Sequence, residues 1–122
     1  MAKRTNWQEF KDVLDRHNIH KLYHFTDRDN LEAIIKNGGL CSWKDCEEKN
    51  IVIPKPGGGG PGSLSWGLDS RKGLERYVRV SFTRNHPMMY VAMKENRITN
   101  PVILEVDLDV IFDDKTKYAN MN

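Results

Sequence analysis

The sequence predicts one α+β domain, a small sheet with short helices around it. Three observations point to that class. At 122 residues, 39% hydrophobic and 30% charged, the chain suits one globular domain with a modest core. Apolar residues at helical spacing, such as Trp7, Phe10, Val13 and Leu14, give way to short alternating runs over 77–83 and 101–108. No internal repeat is visible, and no apolar run reaches the roughly 20 residues that cross a bilayer.

Taken in order, the elements are these. Thr5 and Gln8 have capping-box spacing, so a helix is expected over 6–17. A first strand within 19–25 ends in Tyr23-His24-Phe25-Thr26. Asp27 can cap the helix that follows, whose apolar face is Leu31, Ile34 and Ile35. Gly38 and Gly39 supply the positive-φ residue that ends many helices. Residues 41–68 read as loop, because Pro54, Pro56, Gly57, Pro61 and Gly62 suit neither helix nor central strand. A mobile flap is expected at about 44–63. It lacks the Lys-Ser/Thr ending of a phosphate loop. Trp43 and Trp66 flank it and either anchor it, the favoured reading, or stack on a base.

A short helical turn carrying Arg71 is expected over 69–76, then a strand over 77–83. Val78, Val80 and Phe82 would face one way, Arg79 and Ser81 the other. His86 can cap a helix with Pro87 first, and its Met88, Met89, Val91 and Ala92 read as core. The strand at 101–108 begins with a near-continuous apolar run, which predicts central burial.

Chemistry concentrates in two places. His24 and Thr26 sit beside a helix N-terminus, where the dipole favours an anion such as pyrophosphate. Arg71, Lys72, Arg76, Arg79 and Arg84 face Glu75 alone in their stretch of a chain whose net charge is +2. That segment is either a phosphate-binding surface or a solvated basic face. Cys41 and Cys46 are expected to be reduced and to bind no metal. Residues 1–6 lack the apolar stretch of a signal peptide, so a cytoplasmic protein is expected.

An ordered set of blocks resembles the DarT-type DNA ADP-ribosyltransferases, toxin-like enzymes that attach ADP-ribose from NAD to a base of single-stranded DNA. The blocks are Tyr23-His24-Phe25-Thr26, Asn30-Leu31, Gly38-Gly39-Leu40, Tyr77-Val78, Ser81-Phe82, Pro87-Met88-Met89-Tyr90 and Val102-Ile103-Leu104, spread over about 20–122. The resemblance implies the ADP-ribosyltransferase fold, a split β-sheet with NAD in the cleft, in a single domain over 1–122. His24 and Thr26 then contact the adenosine and nicotinamide-side ribose, and Phe25 supports the pocket through its backbone. Tyr77 and Phe82 would also line the cofactor side. Arg71 resembles the catalytic arginine, with Arg76 the rival. Arg79, Arg84, Met89 and Tyr90 are expected on the nucleic-acid side. The family's glutamate lies further downstream, and Glu105 does not match it. An N-terminal portion of the fold, or a short relative, is therefore expected. Implied partners are NAD, single-stranded DNA and an antitoxin of the ADP-ribosylglycohydrolase type. Two further readings stand beside this one: a non-catalytic nucleotide- or nucleic-acid-binding module, and an RNA 2′-phosphotransferase-like enzyme.

Overall fold

The computed structural model describes residues 2–57, 60 and 63–119. The element order is α1 (Trp7–Arg16), β1 (Lys21–Asp27), a 3-10 turn (Arg28–Asn30), α2 (Leu31–Asn37), α3 (Trp43–Glu48), α4 (Leu64–Lys72), α5 (Pro87–Lys94), β2 (Pro101–Asp107) and a 3-10 turn (Leu108–Phe112). β1 and β2 form a two-stranded antiparallel sheet, in register from Lys21 opposite Asp107 to Asp27 opposite Pro101. Mixed helix and strand agree with the α+β expectation.

Alternation across the strands sorts the sheet into two faces. Leu22, His24 and Thr26 share one face with Val106, Leu104 and Val102. Tyr23 and Phe25 share the other with Glu105 and Ile103. The first face carries the main core. Leu14 of α1 and Leu22 pack with Ile111 and Phe112, bordered by Trp7, Phe10, Ile19, Val106 and Leu108.

A two-stranded ribbon is marginal alone, and here a buried polar clamp reinforces its open end. Asp27, with no exposed surface, caps the turn after β1 by accepting from the Asp29 N–H at 2.9 Å. Its other oxygen accepts from the Thr99 N–H at 2.7 Å and the Asn100 N–H at 3.1 Å. The Lys55 ammonium stands 3.9 Å away. Asn30 donates to Thr26 Oγ at 3.0 Å and to the Lys55 carbonyl at 2.8 Å, and accepts from the Lys55 N–H at 2.9 Å. Burial pushes the Asp27 carboxyl up, but the three N–H donors and Lys55 outweigh it and hold the pKa at about 2.

Several expectations hold. Gly38 ends α2 at φ 84°, His86 accepts from the Met88 N–H with Pro87 in first position, and Asp27 caps, though the 3-10 turn Arg28–Asn30 rather than α2 itself. Others are corrected. The capping box does not form: α1 starts after Asn6, which makes no side-chain cap bond. The Arg4 N–H is instead bonded to the Phe112 carbonyl at 2.7 Å, and Lys3 bridges Asp113, which holds Thr5 outside the helix. Residues 41–68 are not all loop. Ser42 caps α3 by accepting from the Asp45 N–H, and Ser63 caps α4 by accepting from the Trp66 N–H. The expected flap thus contains a helix, and its residues 58, 59, 61 and 62 lie outside the described residues.

The expected strand at 77–83 is reduced to one bridge, with Tyr23 and Ser81 exchanging N–H···O bonds of 2.9 and 2.8 Å. Its apolar side finds no covering layer, since Val80 and Phe82 stay 39% and 49% exposed. Central burial of β2 is corrected too. None of its residues is buried, because among the described residues it pairs only with β1.

Candidate functional site

His24, near the end of β1, is the best-defined polar group of the candidate site. Its Nδ1 lies 2.7 Å from the Arg79 carbonyl. A carbonyl only accepts, so Nδ1 carries the proton and Nε2 keeps its lone pair. Burial pushes the ring's pKa below the ordinary value, and the carbonyl bond offsets this only in part. His24 is therefore neutral at neutral pH, with Nε2 ready to accept from a hydroxyl. Thr26 is buried and accepts from Asn30, so it belongs to the clamp. Phe25, on the opposite face, stacks on His86 with ring centres 6.1 Å apart.

Arg79 joins His24 to the helices. Its guanidinium pairs with Asp69 of α4. Asp69 is 5% exposed and also accepts from Trp43 Nε1 at 3.1 Å. Trp43 stacks on Trp66 at 4.2 Å, with ring planes 9° apart. The two indoles thus anchor α3 to α4, the favoured reading of the sequence.

Arg71 stands apart. It is exposed in the last turn of α4, two residues beyond Asp69. Two helical steps turn it about 200° away from the face that meets Arg79. Arg71 makes no ion pair among the described residues. No hydrogen bond joins Arg71 to His24 among the described residues. Two open clefts are lined elsewhere. One, of about 550 Å³, lies beside α2 and residues 50–54. The other, of about 410 Å³, lies beside Trp43, Trp66, Ser70 and Glu75.

Arg76, the rival arginine, is held on α3. It bonds Asp45 and, through two N–H groups at 2.9 and 2.6 Å, Glu48. Hydrogen bonds to these carboxylates raise its pKa further. Exposed pairs of this kind contribute little. Arg76→Ala is expected to leave NAD binding unchanged and to lower the melting temperature by no more than about 3 °C, read by calorimetry.

The expected nucleic-acid side is divided. Met89 is buried with Ala92 on the inner face of α5, so it is not available to DNA. The helix begins at Pro87, and an i, i+3 pair then points inward together. Phe82 and Tyr90 are exposed. Tyr77 is half-buried under the Lys117 ammonium, 5.0 Å from its ring centre. Arg84 lies over Tyr23 and bonds Glu105 at 3.1 Å. Glu105 pairs with Tyr23 across the sheet, on the face opposite His24.

The two cysteines are free, and burial with the nearby Cys41 pushes the Cys46 thiol up to about 12. Among the described residues no group of three or more His, Cys, Asp or Glu could hold a metal. Among the described residues no helix is long and apolar enough to cross a membrane. Asp69 and Asn30 are site-supporting residues that sequence reasoning missed, because no local pattern announces their distant partners.

A family model described as ssDNA thymidine ADP-ribosyltransferase, DarT, matches residues 23–120. The chain belongs to this family. No curated protein and no solved structure matches it. The DarT match opens at Tyr23, so it takes in β1 from its third residue, His24 included, and leaves α1 outside. It also spans α4 with Asp69 and Arg71, the Arg79 segment and α5.

Proposed function

We propose that this DarT domain binds NAD in an ADP-ribosyltransferase-type cleft and transfers its ADP-ribose to a thymidine base of single-stranded DNA. The observation that carries the reading is the DarT match from the strand bearing His24 through to residue 120. In the reaction, the bond between the nicotinamide nitrogen and the ribose anomeric carbon breaks. A bond from that carbon to a base nitrogen forms, and the nitrogen's proton leaves to solvent. Positive charge builds on the anomeric carbon as nicotinamide departs. His24 Nε2 accepts from a hydroxyl of the bound dinucleotide. Arg71 offsets pyrophosphate charge. Exposed Phe82 and Tyr90 offer stacking faces to unpaired bases, and Arg84 a charge for the DNA backbone. The reading places the protein in the cytoplasm, and a partner that removes ADP-ribose would reverse the modification.

The test offers NAD with a thymidine-containing oligonucleotide and with a matched one lacking thymidine. Nicotinamide release and a mass gain of one ADP-ribose on the first alone are expected. Neither NAD binding nor mass gain would overturn the reading. A binding-only module is favoured by one observation, that no hydrogen bond joins Arg71 to His24 among the described residues. It would retain DNA in a salt-sensitive manner and release no nicotinamide. RNA bearing a 2′-phosphate, offered in parallel, separates the phosphotransferase reading.

A further inference from the structure

The geometry points to Asp69 as a positioning residue for His24, acting through Arg79. The role of His24 toward NAD rests on the function proposed above; the link between Asp69 and His24 does not. Asp69 sits in α4, ten residues before Arg79, and its side chain is 7% exposed. Arg79 is the contrasting partner, with a side chain 68% exposed. An exposed arginine ordinarily gains little from an ion pair. Here the carboxylate is buried and its other oxygen already accepts from Trp43 Nε1, so its position is set before the guanidinium arrives. The pair pins residue 79 at both ends: the side chain on Asp69, the carbonyl on His24 Nδ1.

Nothing regular replaces that pin. The segment 77–83 pairs with β1 through Tyr23 and Ser81 alone. Without Asp69 the residue-79 carbonyl is held only by that neighbouring bridge. His24 then loses the acceptor that keeps its proton on Nδ1. The ring would exchange between tautomers, and Nε2 would no longer be a constant acceptor.

The experiment reads His24 directly by 15N NMR of the imidazole in the whole chain, without NAD. The native protein should show Nδ1–H and a midpoint below the ordinary 6.5. Asp69→Asn should mix the tautomers. Arg79→Ala, which keeps the carbonyl but cuts the link, should do the same and serves alone if Asp69→Asn fails to fold. Trp43→Phe removes the other bond to Asp69 but keeps the Arg79 link, so it should move the His24 signals less than Arg79→Ala does. With NAD added, Asp69→Asn should raise KM about threefold to tenfold while kcat changes less. An unmoved His24 spectrum in folded Arg79→Ala overturns the proposal, and so does an equal shift in Trp43→Phe. Failure to bind NAD at all counts against the proposed function and leaves the NMR result decisive for Asp69.

Discussion

Asp27→Ala should lower folding stability by about 3 kcal/mol, read as a fall in the urea midpoint without a change in slope. The carboxylate is fully buried and serves three backbone N–H groups, those of Asp29, Thr99 and Asn100. Alanine leaves those donors without their acceptor and leaves the Lys55 ammonium without one of its two carboxylates. The same group makes stability depend on acid. Its folded pKa of about 2 lies below the ordinary 3.8, so its contribution is complete above about pH 4. It is lost as pH falls from there toward 2. Asp27→Asn should flatten the acid limb of the stability curve. An acid limb as steep as the native one would show that other carboxylates govern it.

His24→Ala should weaken NAD binding by about tenfold or more and leave single-stranded DNA binding nearly unchanged. The variant removes the Nε2 acceptor, while the Tyr23–Ser81 bridge and the pairing with β2 are backbone bonds that it keeps. Because the native ring titrates below its ordinary value, NAD affinity should be level through neutral pH and fall only in acid. Equal losses toward NAD and DNA would instead indicate a damaged fold, checked by circular dichroism. Arg71→Ala provides the contrast: transfer should stop while the domain stays folded, since its side chain is exposed on α4.

Legibility in the sequence tracked the range of the interaction. The caps at Asp27 and His86 and the turn at Gly38 could be read, because each joins groups at most four residues apart. The caps at Ser42 and Ser63 are just as local, yet the Pro and Gly residues around them outweighed their signal. The strand pattern at 77–83 was genuine as a pattern, but alternation becomes a strand only when a neighbour supplies a full ladder. Only Ser81 meets one. The family was also legible, and the DarT match over residues 23–120 bears it out.

The sequence by itself therefore determined the α+β class, the ends of α2 and α5, the span of β1 and β2 to within a residue or two, and the family. Tertiary structure alone decided which arginine meets His24. Arg79 does, through its backbone, while Arg76 is held by α3 and Arg71 is exposed in the last turn of α4. It also decided that, of the α5 residues read as core, Met89 and Ala92 are buried while Met88 and Val91 stay exposed, and that Glu105 lies across the sheet from the histidine. The physical reason is separation along the chain. The bonds that set the candidate site join residues 10, 26 and 55 positions apart, and no local spacing records them.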